Sequence, residues 1–117
     1  MIGVQPGTLV VLSLQSPREK MWGVLVSLIT AGVVLRGIDL EIFEEWTLQE
    51  SSGSERMLGP TTVFFPMARL ERVEADESVG PVPSYCSRFE SSAGRRALDA
   101  LGWDEGVSGA SPAGSEE

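Results

Sequence analysis

The chain has 117 residues, 42% hydrophobic and 22% charged, which predicts one globular domain with a hydrophobic core. Its net charge of −8 opposes binding to the phosphates of RNA, of DNA or of an anionic membrane surface. The single cysteine, Cys86, excludes an internal disulfide and fits a reducing cytoplasm. Histidine is absent, which removes the commonest general base and metal ligand. No apolar run reaches the length of a membrane span, and no signal peptide is recognisable.

Three strands are predicted in the first third of the chain. "TLVVLSL" (8–14) follows a Pro-Gly turn and is rich in β-branched and aliphatic residues. "KMWGVLVSLI" (20–29) is apolar at both parities, so both of its faces should be at least partly covered. "VVLRGIDL" (33–40) should pair with it as a hairpin, through a "TAG" connection whose glycine can take a positive φ. Gly23 indicates a bend or a close backbone approach and Gly37 indicates a bend, which favours a small barrel over a flat sheet.

The rest of the chain predicts two more strands and further helices. Helical spacing over 41–49 indicates a short helix, with Asp39 or Glu41 at its positive end. "TTVFFPMARLERV" (61–73) predicts strand four over 61–65 and strand five over 70–75, with Pro66 at their junction because it lacks an amide donor. A helix capped by Ser84 should run to about residue 92, and another turn or two should follow Gly94; both should pack on the barrel. Residues 1–103 are therefore predicted to form one domain, and 104–117 a disordered acidic tail.

These elements predict a mainly β fold, a five-stranded SH3-like small barrel with a short helix between strands three and four and a C-terminal helical segment. "WGVLVSLITAGVVL" (22–35) resembles the first Sm motif, and "VFFPMARLERV" (63–73) resembles the second. The positions that carry the resemblance are Gly23, Leu25, Leu28 and 33–35 in the first segment, and Val63, Phe64, Phe65, Leu70 and Val73 in the second.

The resemblance to Sm-like and Hfq-like proteins implies a small barrel in which strand four of one subunit pairs with strand five of the next. The family's RNA contacts are not implied, because Pro66, Met67 and Ala68 stand where a basic or histidine-containing turn is usual. The helices also lie after strands three and five, whereas the usual Sm helix precedes the first strand. The segments "EKMWG" and "TVFFPM" are similar to segments of bacterial proteins, which implies no activity.

Four residue groups could carry chemistry, and each has a plainer interpretation. The acidic run Asp39, Glu41, Glu44, Glu45 and Glu50 could hold a divalent metal, but a solvated helix face is the plainer interpretation. Cys86 could be a nucleophile, but without histidine a small half-buried thiol is favoured. The basic cluster Arg88, Arg95 and Arg96 could bind a phosphate, although the interspersed Glu90 and Asp99 favour pairing within a helix. The tryptophans Trp22, Trp46 and Trp103 could stack on bases, but core packing is favoured.

The sequence contains no phosphate loop, nucleophile elbow, zinc spacing or dinucleotide fingerprint, so we expect no enzyme, cofactor or metal. The expected function is a cytoplasmic protein-interaction or assembly module, with a protein partner or self-association. Its contact residues are expected to be Phe64, Phe65, Met67, Arg69 and Arg72, because arginine beside exposed aromatic residues is a common interface composition. For Arg69 and Arg72, the alternation with Glu71 and Glu74 favours a charged solvent face as the plainer interpretation. The alternative is an RNA-binding regulator of the Sm type with altered contact residues, which predicts salt-sensitive binding of single-stranded oligo-U or oligo-A.

Overall fold

The computed structural model of the chain describes residues 3–104. In chain order its elements are β1 (Leu9–Leu14), β2 (Glu19–Ile29), β3 (Gly32–Asp39), a 3-10 turn (Leu40–Ile42), α1 (Phe43–Ser52), β4 (Thr61–Pro66), a second 3-10 turn (Met67–Arg69), β5 (Leu70–Ala75), α2 (Tyr85–Ala93) and α3 (Ala97–Ala100). The mainly β composition and the five predicted strands are confirmed, with bounds that differ by at most one residue. The predicted disordered tail lies outside the described residues except for Asp104.

The five strands form one antiparallel sheet in the order β4-β3-β2-β1-β5. The sheet is not closed, and β4 and β5 are its two edges. Only the three residues Met67–Arg69 connect these edges, so Pro66 and Leu70 are four Cα steps apart, roughly 14 Å at full extension. Four flat inter-strand spacings would need about 19 Å, so the sheet must curl to bring its edges toward each other at that end. Closure into a barrel stays a prediction.

A pair of glycines lets β2 and β3 approach closely at the centre of the sheet. Gly23 and Gly37 face each other in the antiparallel register. A Cβ at Gly23 would lie 2.2 Å from the Arg36 carbonyl oxygen, and one at Gly37 would lie 2.2 Å from the Trp22 carbonyl oxygen. The close approach predicted at Gly23 is confirmed, and Gly37 takes part in it, because neither strand has room for a side chain there.

Two hydrophobic clusters lie on opposite faces of the sheet. The first is formed by strand residues alone: Val10, Leu12, Leu14, Met21, Leu25, Val33, Leu35 and Phe65. The second joins the other face to the helices, and its members are Val11, Trp22, Ile38, Phe43, Trp46, Phe89, Ala97 and Leu101. In this cluster the rings of Trp46 and Phe89 stack with centroids 4.6 Å apart. Both faces of β2 are thus covered, and the helices pack on the sheet, as predicted.

The helices begin where local capping chemistry allows. The Asp39 carboxylate accepts the Glu41 N–H at 2.8 Å at the start of the 3-10 turn, and the helix predicted over 41–49 continues to Ser52. Ser84 caps α2 by accepting the Ser87 N–H, as predicted. The "TAG" connection does not use the positive φ that its glycine could take, because Gly32 is not among the positive-φ residues. It belongs to β3, where a Cβ would lie 2.2 Å from the Phe65 carbonyl oxygen.

Candidate functional site

The outer edge of β4 leaves backbone groups without a strand partner. The Met67 N–H donates to the Ala31 carbonyl at 2.8 Å, which fixes the alternation of the β3–β4 ladder. Because N–H groups along a strand point alternately to its two sides, those of Thr62 and Phe64 point away from β3. Pro66 occupies the next outward position and has no N–H to offer. Within β4, the free edge therefore presents only two amide donors.

Apolar side chains gather beside this edge, at the end of the β2–β3 hairpin. We call Ile29, Phe64 and Met67 the β4 edge surface; their exposure ranges from 39% at Met67 to 56% at Ile29. In the register Phe64 lies opposite Val34, and Ile29 lies opposite Gly32. A Cβ at Gly32 would be 2.8 Å from the Phe64 ring, so this glycine gives the ring its place over the hairpin. Unpaired backbone next to exposed apolar side chains is the composition of a strand-pairing site.

Four of the five predicted contact residues are divided among three places in the structure. Phe64 and Met67 belong to the β4 edge surface, whereas the neighbouring Phe65 is only 8% exposed and packs in the strand cluster. Arg72 lies on β5, at the opposite edge of the sheet, and forms a 3.4 Å ion pair with Glu74. That these residues contact a partner stays a prediction, and the structure brings only two of them together at one edge.

Arg69 is held in contacts within the chain. Its guanidinium donates to the carbonyl oxygens of Gln15 and Pro17 at 2.8 and 2.9 Å, and to a Glu19 carboxylate oxygen at 2.6 Å. It also lies 5.6 Å from the centroid of the Phe65 ring. These contacts fasten the β1–β2 loop to the turn before β5, so Arg69 already has a role inside the domain.

The acidic run and the basic cluster pair with each other across elements. Arg88 of α2 pairs with Glu44, and Arg95 pairs with Glu50 at 2.7 Å, both on α1. The expected pairing within a helix is wrong at these two arginines because α1 and α2 pack side by side. The solvated-face interpretation is also wrong for Glu50, whose side chain is 6% exposed. Within residues 3–104, no three carboxylate or thiol groups are clustered as metal ligands.

Cys86 is a half-buried thiol near the start of α2. Burial raises the pKa of this thiol to about 11, and the carboxylates of Glu90 and Asp76 add to the effect. The causes of this shift include no positively charged group that would stabilise the thiolate. At neutral pH the thiol is therefore protonated.

This pKa predicts how Cys86 reacts with iodoacetamide. The alkylation rate should be far below that of a free thiol at pH 8 and should rise with pH until about 11, since only the thiolate reacts. The rate is measured by mass spectrometry from pH 7 to 10, with glutathione as the control and with circular dichroism at each pH to verify that the protein is folded. A rate that levels off below pH 9 would contradict the assignment.

The core-packing interpretation is confirmed for two of the three tryptophans. Trp22 and Trp46 are fully buried in the helix-facing cluster, as the core-packing interpretation predicted. Trp103 is half-buried, and its indole N–H has no partner among the described residues.

Sequence reasoning missed one of the three residues of the β4 edge surface. Ile29 was interpreted as part of a covered strand, because it stands at the end of the apolar β2 segment. The only local signal was that two apolar residues stand immediately before the Thr30-Ala31 turn, where a hairpin end projects past the core.

Comparisons with protein-family models, with curated proteins and with solved structures found no match. Among residues 3–104, none of the helices is both long enough and apolar enough to cross a membrane.

Proposed function

We propose that this chain is a non-catalytic interaction or assembly module, built on a curled sheet of the Sm-like or SH3-like small-barrel kind, that binds a partner strand along β4. The observation that carries the proposal is the coincidence of a free backbone edge with the β4 edge surface. In strand addition, main-chain hydrogen bonds supply affinity and flanking side chains supply selectivity. Thr62 and Phe64 offer the donors, and Phe64, Ile29 and Met67 offer the apolar contacts.

Two features limit how such an edge can pair. Pro66 ends the donor series, so an added strand can bond along only a short part of β4. The net charge of −8 opposes indiscriminate self-association. Both features favour a short, specific contact over open-ended sheet growth, which an unguarded edge would invite.

A charge placed on the β4 edge surface should remove the interaction. Phe64→Glu should weaken self-association or partner capture by about 10- to 100-fold, because burying an aromatic side chain contributes roughly 1.5–3 kcal/mol. Light scattering at high protein concentration measures the molar mass against the 12.6 kDa of one chain. A pull-down from nuclease-treated extract of the source cell measures capture and separates protein partners from RNA.

Leu48→Glu is the matched control, because Leu48 is an exposed apolar residue on α1, away from β4. It should leave mass and capture unchanged. The proposal fails if the wild-type chain is monomeric and captures nothing above background. It also fails if Phe64→Glu and Leu48→Glu behave alike.

A further inference from the structure

A second candidate site lies at the other end of β2, about 30 Å along the strand from Ile29. It is a cleft of about 510 Å³ between the start of β2, the 3-10 turn after β3, and β5. Its size falls within the range of pockets that hold small molecules. The residues of its lining that matter here are Ser13, Arg18, Lys20, Glu41, Glu71 and Arg72.

The cleft contains a buried hydroxyl that has no hydrogen-bond partner. Ser13 is 5% exposed, and its Oγ is one of three buried side-chain polar atoms in residues 3–104 that lack a partner. A buried polar group normally finds a partner, since leaving it unsatisfied costs stability. An unsatisfied hydroxyl in the lining of a cleft is therefore a signal that a ligand supplies the missing bond.

Two cationic side chains flank this hydroxyl on the same face of the sheet. β1 pairs Ser13 with Lys20 of β2 and with Arg72 of β5, and directly opposed residues have Cβ atoms about 5 Å apart. Lys20 and Arg72 are both exposed, and their long side chains cover the hydroxyl but can move. A ligand that binds these two side chains moves them aside and reaches Ser13 Oγ.

The basic residues at this cleft differ from most of the others in the chain. Four arginines elsewhere donate to an acceptor on a different element or loop: Arg36, Arg69, Arg88 and Arg95. Within the described part of the chain, Arg18 and Lys20 form no ion pair, and Arg72 has only its 3.4 Å contact with Glu74 of the same strand. In an acidic protein, three weakly engaged cations thus line one cleft.

We propose that this cleft binds a small molecule through a single oxyanion group, a carboxylate or a phosphate monoester, held by Ser13 Oγ, Lys20 and Arg72. Hydroxyl and charged donors are the groups that recognise such oxygens. Four carboxylates also line the cleft: Glu19, Asp39, Glu41 and Glu71. Glu19 is paired with Arg69 and Asp39 accepts the Glu41 N–H, and together the four carboxylates repel highly charged ligands. A polyphosphate or a nucleic acid is therefore excluded, and a compact ligand of low charge is selected.

Acetate and inorganic phosphate are suitable probes, and separate titrations show which oxyanion is preferred. Nuclear magnetic resonance at constant ionic strength should show saturable shifts of the Ser13, Lys20 and Arg72 amides in the millimolar range with at least one of them. Tripolyphosphate should bind no more tightly. Ser13→Ala and Lys20→Gln should each weaken binding at least fivefold, whereas Arg56→Gln, which changes an exposed arginine outside the cleft, should not.

Thermal unfolding gives a readout that does not depend on the probe. Ser13→Ala removes a buried group without a partner, so it should raise the melting temperature while it weakens binding. A lower melting temperature would show that the hydroxyl is already satisfied and would overturn the premise. Shifts that do not saturate, that are unaffected by Ser13→Ala, or that change equally in Lys20→Gln and Arg56→Gln would overturn the site.

Discussion

Gly37→Ala should destabilise the domain by about 3 kcal/mol or more, a large part of the roughly 5–15 kcal/mol that holds a domain of this size together. The added Cβ would lie 2.2 Å from the Trp22 carbonyl oxygen and 2.7 Å from the Gly23 Cα, and both of these are backbone atoms. Backbone cannot rotate away as a side chain can, so β2 and β3 would have to separate at the centre of the sheet. Urea unfolding followed by tryptophan fluorescence measures the loss.

Gly59→Ala is the control for this substitution. A Cβ at Gly59 meets nothing within 4 Å, and the residue has no positive φ. Its free energy of unfolding should stay within about 0.5 kcal/mol of the wild type, as expected for an exposed loop position. If both glycine variants shift the unfolding midpoint equally, the close approach of β2 and β3 is not what requires Gly37.

Asp76→Ala should cost about 2–4 kcal/mol, because one carboxylate joins three parts of the fold. Its Oδ2 accepts the Trp22 indole N–H at 2.9 Å and the Cys86 N–H at 2.8 Å, and its Oδ1 accepts the Tyr85 N–H at 2.9 Å. Without it, the fully buried Trp22 loses its only recorded side-chain acceptor and two first-turn amides of α2 lose theirs. Negative charge at a helix start adds to the stabilisation.

Two variants separate these contributions in the same unfolding experiment. Asp76→Asn keeps one side-chain oxygen as an acceptor, so it should lose about half as much as Asp76→Ala. Glu77→Gln changes the neighbouring exposed carboxylate and should stay within about 0.5 kcal/mol of the wild type. Equal effects of Asp76→Ala and Glu77→Gln would show that the three hydrogen bonds contribute nothing measurable.

The strands and their covered faces could be predicted because the signals are local. Apolar density and turn residues located β1 to β5 to within a residue, and Ser84 located the start of α2. Gly23 was identified because a glycine inside a strand indicates a bend or a close approach. Each of these inferences needs only a short window of sequence.

The contacts that join distant segments could not be predicted in this way. Trp22 and Asp76 are 54 positions apart, and Arg95 and Glu50 are 45 apart. Local patterns cannot show which opposite charges meet when helices pack, so Glu50 was assigned to solvent. The order of strands in the sheet also depends on distant segments. β1 pairs with both β2 and β5, and this pairing leaves β4 and β5 as the edges.

The residues of the candidate sites were likewise predictable where the signal is local and not where it depends on distant segments. Phe64 and Met67 lie within two residues of Pro66, which marked the stretch as unusual, whereas Ile29 joins them only through the hairpin register. In the sequence, Ser13 is one polar residue inside an apolar strand. Its significance depends on Lys20 and Arg72, which the sheet brings to either side of it.

Amide hydrogen exchange at Thr62 and Phe64 tests the central proposal most directly. These amides point away from β3, so they should exchange fast in dilute protein alone. Under conditions of self-association, or with the captured partner, their exchange should slow by at least tenfold, while the amides of Val63 and Phe65, bonded to β3, change little. Unchanged exchange at Thr62 and Phe64 in an associated sample would show that β4 is not the contact strand.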